Sequence, residues 1–334
     1  MKIRWGILST ANIGMQKVIP AIQKAENCIV TAICSRNLET AQVAATSLGI
    51  EKAYGSYEEL LADSNIDAIY IPLPNHLHVD WTIKALQAGK HVLCEKPIGL
   101  NTAEAVHLAK EAQKYPHLKV MEAFMYRFHP QWIKAKDLVD SGVIGEVKTV
   151  HSFFSYFNAN PQNIRNKADI GGGALMDIGC YCIQFPRFLF GSNPEKVVGL
   201  MDHDPLMKTD RITSALLDFG GGISSTFTCS TQLQSFQRAQ IVGTQGRIEI
   251  EIPVNAPALE ATKLTLVTSA GSEEMWFGPI DQYTLQAEAF ANSVLNETDV
   301  PTSLNDAIGN MQVIDALFES AEKGEWMKLS VIRL

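Results

Sequence analysis

The chain has 334 residues, of which 46% are hydrophobic and 19% charged, enough apolar material for packed cores and a length suited to two domains. A formal net charge of -8 leaves no basic surplus to neutralise phosphates, which argues against nucleic acid or an anionic membrane and in favour of a small-molecule partner. Six cysteines, Cys28, Cys34, Cys94, Cys180, Cys182 and Cys229, lack any CxxC or paired zinc-ligand spacing and mostly lie in apolar runs, as expected in a reducing, cytoplasmic setting.

The first expected strand, Ile3–Leu8, begins the chain with no separate hydrophobic leader ahead of it, and no apolar stretch reaches the roughly eighteen residues of a membrane span. Strand runs then recur at Ile29–Cys34, Asp67–Ile71, His91–Cys94 and Lys119–Phe124, separated by helical segments. Ser56 and Glu59 form a capping box ahead of Leu60 and Leu61, and Asn75 is placed to cap a helix that Gly89 closes. That alternation predicts a parallel sheet covered by helices up to residue 124. Beyond Gly142 the runs lengthen and often alternate: Glu146–Phe157, Ile212–Phe219, Ile223–Thr231, Arg238–Gly243 and Arg247–Ile252. They predict a large, mainly antiparallel open sheet, covered on one face by helices near 173–190, 282–297 and 304–323.

Several short runs carry chemistry. Gly6-Ile7-Leu8-Ser9-Thr10-Ala11-Asn12-Ile13-Gly14 links the first strand to an apolar helix, where small residues let backbone amides approach a pyrophosphate. Ser9 and Ala11 occupy the two leading glycine positions of a GxGxxG pattern and only Gly14 is kept, so the run also fits an ordinary tight turn. The second strand ends Cys34-Ser35-Arg36-Asn37, with no acid to hold ribose hydroxyls. Arg36 could pair with a 2′-phosphate, with Ser35 as a donor, which favours NADP; the other reading is a surface arginine on a loop. His76 and His78, two residues apart near a helix start, have poor spacing for a metal, and no metal is expected.

The run His91-Val92-Leu93-Cys94-Glu95-Lys96-Pro97, a buried strand ending in charges and a proline, resembles the signature of the glucose-fructose oxidoreductase / inositol dehydrogenase family. The likeness extends to Pro72-Leu73-Pro74-Asn75-His76, to Gly142-Val143-Ile144-Gly145, and to Gly171-Gly172-Gly173-Ala174-Leu175-Met176-Asp177-Ile178-Gly179-Cys180-Tyr181. Many members have histidine four residues after that aspartate. Tyr181 stands there instead, which resembles the branch of dimeric dihydrodiol dehydrogenase and NADP-dependent xylose dehydrogenase. The resemblance implies cofactor contacts from Ser9, Thr10, Ala11, Asn12 and Ile13, from Ser35 and Arg36, from Leu73, Pro74, Asn75 and His78, and from Glu95 and Lys96. It implies Lys96, Tyr181 and Asp177 as catalytic residues. Lys96, Asp177, Tyr181 and Arg127 would line the substrate, Arg127 having an interdomain ion pair as its alternative.

The residues themselves are consistent with this. Asp177 and Tyr181 are four apart, so on a helix both project from one face. Oxidising a carbinol needs a base for the hydroxyl proton, and reducing a carbonyl needs an acid. A free tyrosine, with a pKa of about 10, needs a lowering worth roughly 3–4 kcal/mol to serve efficiently near neutrality, and Lys96 and the positive nicotinamide are the obvious sources. The opposing reading makes Tyr181 a core ring, Asp177 a loop anchor and Lys96 a surface partner of Glu95. His76 or His78 would reach the nicotinamide ribose, or simply bond the helix start.

The expected architecture is therefore α/β, with a doubly wound Rossmann dinucleotide-binding domain over 1–124 and an α+β substrate-binding and oligomerisation domain over 125–334. The expected function is NADP-dependent oxidoreduction of a hydroxyl or carbonyl on a sugar, cyclic polyol or dihydrodiol. The rival readings are a sugar–sugar oxidoreductase that retains its NADP and a non-catalytic NADP-binding sensor. Apolar residues on both sides of Ile212–Phe219 predict a homodimer through the open face of the second sheet.

Overall fold

Strands that are apolar on both sides need helices on both sheet faces, and the N-terminal residues satisfy that demand. The computed structural model describes residues 1–332. In chain order the first part runs β1 (Ile3–Leu8), α1 (Ile19–Lys24), β2 (Cys28–Cys34), α2 (Leu38–Leu48), β3 (Lys52–Tyr54), α3 (Tyr57–Ala62) and β4 (Ala68–Ile71). It continues with α4 (His78–Gln87), β5 (His91–Glu95), α5 (Thr102–Ala112) and β6 (Val120–Ala123). The six strands pair in parallel in the order β3-β2-β1-β4-β5-β6. The order reverses direction between β1 and β4, which is where an open sheet of this kind leaves a crevice at its carboxyl ends.

The second part contains α6 (Pro130–Asp140), β7 (Val147–Phe157), α7 (Cys180–Phe190), β8 (Lys196–His203), β9 (Asp210–Asp218), β10 (Ser224–Ser230) and β11 (Gln232–Gly243). Then come β12 (Gly246–Ile250), β13 (Thr262–Thr268), β14 (Gly271–Phe277), α8 (Gln282–Leu295), α9 (Leu304–Lys323) and β15 (Met327–Lys328). Nine strands form one sheet in the order β14-β13-β12-β11-β7-β10-β9-β8-β15. Every pairing is antiparallel except β7 with β10.

Two compact units emerge, 1–125 with 281–308, and 126–280 with 309–332. The first unit thus recruits α8, which the chain-order expectation had assigned to 125–334. The reason is local packing: the Phe290 ring of α8 lies 5.2 Å from buried Trp5 of β1, and Asn27 donates to Asn292 at 2.6 Å. In the second unit, Val150, Ser152 and Phe154 of β7 and Ala215 and Leu217 of β9 are buried on one face. His151, Leu200, Phe157 and Phe236 are exposed on the other.

Expected strands appear at their places with ends shifted by one or two residues, except β11, which begins six residues early because a register shift lets it continue past Phe236. The expected set lacked β3, β8, β13, β14 and β15. The helix expected to start at Asn75 begins instead as a short 3-10 turn, Asn75–Leu77, ahead of α4. Half of the capping box forms: Ser56 accepts from the Glu59 amide at 3.1 Å, while the Glu59 carboxylate accepts from the Gly55 amide at 3.1 Å in place of the Ser56 amide.

Candidate active site

In the first unit, the candidate cofactor residues gather at the carboxyl ends of β1, β2, β4 and β5. Ser9 leaves β1 with φ +99°, a left-handed conformation that a non-glycine residue adopts at a cost of about 1–3 kcal/mol. Its hydroxyl accepts from the Ala11 amide at 3.3 Å, closing the turn that glycine closes in the stricter pattern. The chain enters the helix through a π-type turn, Gly14–Val18, with no side-chain cap, whereas Asn37, Ser56 and Asn101 cap α2, α3 and α5. Amides left uncapped at a helix start are donors available to an anion. At the end of β2, Ser35 is fixed by its amide bond to the Tyr54 carbonyl. The exposed Arg36 guanidinium has no hydrogen bond or ion pair among the described residues. These two features, uncapped amides and an unengaged arginine, fit the phosphates of a dinucleotide.

The Lys96 turn is held from several sides. Tyr70, fully buried on β4, donates to Glu95 Oε1 at 2.6 Å, and burial with the Glu95 charge pushes the Tyr70 phenol well above its ordinary range. The Ile98 amide donates to Glu122 Oε1 at 2.8 Å, and the Leu100 amide to Glu104 Oε2 at 2.8 Å. Lys96 itself is half-buried, at a cis peptide bond with Pro97.

His78 lies deeper than the loop residues around it. It is completely buried, and its Nδ1 and Nε2 each lie 2.7 Å from a main-chain carbonyl oxygen, of Pro97 and Leu73 respectively. Burial lowers its pKa to about 4 despite those carbonyls. The neutral ring carries one N–H and so donates to one of these carbonyls at a time, and His78 sits between the Leu73–Pro74 loop and the Lys96–Pro97 turn. Of the two histidines, His76 is the one with a ring nitrogen, Nδ1, buried and without a hydrogen-bond partner among the described residues.

In the second unit, Asp177 and Tyr181 lie on a continuous helical stretch that begins as a π-type turn, Leu175–Gly179, and passes into α7. Such turns are rare and concentrate at functional sites. Here the wider winding still keeps residues four apart on one face. Gly179 permits close packing, since a Cβ there would crowd the Leu175 side chain at 2.8 Å and Cys229 Sγ at 2.9 Å. Tyr181 is 5% exposed, and its ring packs edge-on to Tyr126 at 6.0 Å and against Phe154 at 6.1 Å. The Asp177 carboxylate accepts from the Tyr156 hydroxyl of β7 and from Arg165 Nε, 3.1 Å from both oxygens. Arg127 lays its guanidinium over the Phe188 ring at 4.7 Å.

Asp210, absent from the sequence reasoning, anchors this helix. Its Oδ2 accepts from the Leu175 amide at 2.8 Å and from Thr213 Oγ1 at 2.7 Å, while Oδ1 faces Gly173, where any Cβ would collide with it. Burial raises its pKa to about 6, against those two bonds and the nearby His203. A carboxyl that holds its proton more tightly when folded stabilises the fold most below the unfolded pKa, and that contribution is lost as pH climbs to about 6. Asp210→Asn cannot ionise. Its stability relative to wild type is therefore expected to improve by about 2 kcal/mol between pH 4 and pH 7, read by denaturant unfolding; a pH-independent difference would contradict this.

Sequence reasoning missed Tyr156, Arg165 and Asp210. Only the glycine run before Asp177 hinted at a crowded neighbourhood; nothing local marks Arg165, twelve residues upstream, or Asp210, thirty-three downstream. Among the described residues there is no cluster of three or more His, Cys, Asp or Glu able to hold a metal, and no helix is long and apolar enough to cross a membrane.

Comparison with known proteins accords with this geometry. Residues 3–124 match the model of the oxidoreductase family with an NAD-binding Rossmann fold, and residues 132–249 match the GFO/IDH/MocA C-terminal domain. The D-xylose 1-dehydrogenase (NADP(+)) 2 of Haloferax volcanii is 37% identical over 97% of this chain and 99% of its own length. An oxidoreductase of Rhizobium meliloti, ORF334, is 44% identical over 97% and 98%. The crystal structure of KijD10, a 3-ketoreductase from Actinomadura kijaniata in complex with NADP and TDP-benzene, superposes with a TM-score of 0.89 at 30% identity, covering 96% of this chain and 98% of that one. The chain belongs to the GFO/IDH/MocA family of oxidoreductases.

Proposed function

We propose that this oxidoreductase uses NADP to interconvert a hydroxyl and a carbonyl on a sugar, cyclic polyol or dihydrodiol. The observation that carries the reading is the pairing of a buried, ring-packed Tyr181 with Asp177 on one helix face, in a chain that also holds Lys96 in a braced turn. The xylose dehydrogenase and the ketoreductase named above support the cofactor and the sugar-like substrate class. Residues 1–124 would hold the dinucleotide and residues 125–334 the substrate.

When bound, NADP supplies or accepts the hydride. The chain's own part is protonic and positional. Ionised as the phenolate, Tyr181 takes the carbinol proton in oxidation, and as the neutral phenol it gives that proton to the carbonyl oxygen in reduction. Lys96 stabilises the phenolate, and Asp177 accepts a hydrogen bond from a substrate hydroxyl. Ser9 to Ile13, with Leu73, Pro74, Asn75 and Glu95, would line the cofactor; Arg36 and Ser35 would select its 2′-phosphate, and His76 would reach its ribose. Aldoses, inositols and dihydrodiols offered with NADP+, and the matching carbonyls with NADPH, should give turnover followed by the absorbance of the reduced cofactor. Tight NADP binding without turnover on any of them would instead indicate a sensor.

The exposed sheet face supports a homodimer. Leu200 (77%), Phe157 (68%) and Phe236 (51%) stand on it, a burden that an interface with a second copy relieves. Light scattering at micromolar concentration is expected to read twice the chain mass, and Leu200→Glu to shift it toward one chain mass. A wild-type monomer would refute the interface.

A further inference from the structure

The Asp177 carboxylate is held by two side chains that no motif points to. Arg165 comes from the loop after β7, in a short 3-10 turn, Ile164–Asn166, and its own amide donates to Asn163 Oδ1 at 3.0 Å. Its Nε sits 3.1 Å from each carboxylate oxygen, so both oxygens share one charged donor. Tyr156 approaches from β7, donating its hydroxyl to Oδ2, and is among the residues that line a cavity of about 530 Å³ with Phe154, Phe236 and Gln237.

The loop that delivers Arg165 is itself fixed. Asn166, buried, donates to the carbonyls of Asn158 at 3.1 Å and Asn160 at 2.9 Å, and the Gly173 amide donates to the Arg165 carbonyl at 2.8 Å. A side chain placed on Gly172 would strike the Arg165 and Lys167 carbonyls at 2.6 Å. Arginine and aspartate are thus joined twice, through their side chains and through the glycine turn between them.

We propose that Arg165 and Tyr156 are the positioning residues of Asp177, fixing its carboxylate as an immobile anion that accepts a hydrogen bond from a substrate hydroxyl and does not exchange a proton. A guanidinium and a donating phenol both bond the ionised carboxylate more strongly than the protonated acid. The electrostatics agree in direction. The Asp177 charge raises the Arg165 pKa, an effect to which Tyr181 also contributes, and burial followed by the same carboxylate drives the Tyr156 phenol well upward, so it stays a donor. The proton of the reaction is left to Tyr181, which rests on the function proposed above.

The test begins with a readout independent of turnover. The full chain, labelled with 13C at the aspartate carboxyls and with the Asp177 signal identified by Asp177→Asn, is titrated by NMR as wild type, Arg165→Met, Arg165→Lys and Tyr156→Phe. The Asp177 carboxyl should titrate at higher pH in Arg165→Met and in Tyr156→Phe than in wild type, with Arg165→Lys between wild type and Arg165→Met. Tyr156→Phe keeps the ring, and Arg165→Lys keeps the charge, so these two guard against simple unfolding. An Asp177 titration that is the same in all four proteins would overturn the proposal. On the best substrate, Arg165→Met should lower kcat/KM by about ten- to a hundredfold, as expected for a charge-assisted bond, and add an acid limb absent from wild type. If the NMR titration moves as expected but Tyr181→Phe keeps full turnover, the positioning stands and the acid–base role of Tyr181 fails.

Discussion

Replacing Tyr181 with phenylalanine is expected to lower kcat by about 10²–10⁴-fold, the usual contribution of a general acid–base group, while leaving fold and NADP affinity intact. The structure makes this substitution clean, because the ring is held by Tyr126 and Phe154 and both contacts survive loss of the hydroxyl. Lys96→Met should depress the same step by removing the cation proposed to hold the phenolate. If the two residues serve one proton transfer, the double variant should be far less than multiplicatively worse than either single variant. Near-normal turnover of Tyr181→Phe, with Asp177→Asn inactive, would send the proton through the aspartate and refute both the tyrosine mechanism and the fixed role of the carboxylate.

A second large effect is expected on cofactor choice. Arg36 stands exposed at the end of β2, unengaged by any hydrogen bond or ion pair among the described residues, beside a Ser35 whose backbone is fixed by Tyr54. A charge-assisted bond to a 2′-phosphate is worth about 1.5–3 kcal/mol, so Arg36→Ala should weaken NADP binding by roughly ten- to a hundredfold. NAD, lacking that phosphate, should bind almost as before. Isothermal titration with both cofactors separates the cases, and equal losses would show that Arg36 serves the turn and not the phosphate.

Much of this was legible along the chain because the physics is local. Ser56 announces a helix start since its side chain reaches an amide only three residues on, and that bond forms at 3.1 Å. The apolar runs of β1, β4 and β5 are buried on both sides and so read as strands of a covered parallel sheet. The run ending Glu95-Lys96-Pro97 and the stretch from Gly171 to Tyr181 were conspicuous for the same reason, a fixed spacing within one segment.

Edge and half-exposed strands were harder to see. Neither β14, with its polar Ser272-Glu273-Glu274, nor the three-residue β3 has enough buried face to impose a pattern; a neighbour's free backbone makes them strands. The parallel pairing of β7 with β10 and the return of α8 to the first unit likewise depend on partners far along the chain. So does the function of single residues. The sequence by itself determined that His76 and His78 lie near a helix start and that Asp177 and Tyr181 share a face. Only the tertiary structure decided that carbonyls of Leu73 and Pro97 flank the His78 ring, that Arg165 and Tyr156 grip Asp177, and that Asp210 anchors its helix. Those bonds join groups separated by up to thirty-five residues, and no local pattern encodes which distant donor will arrive.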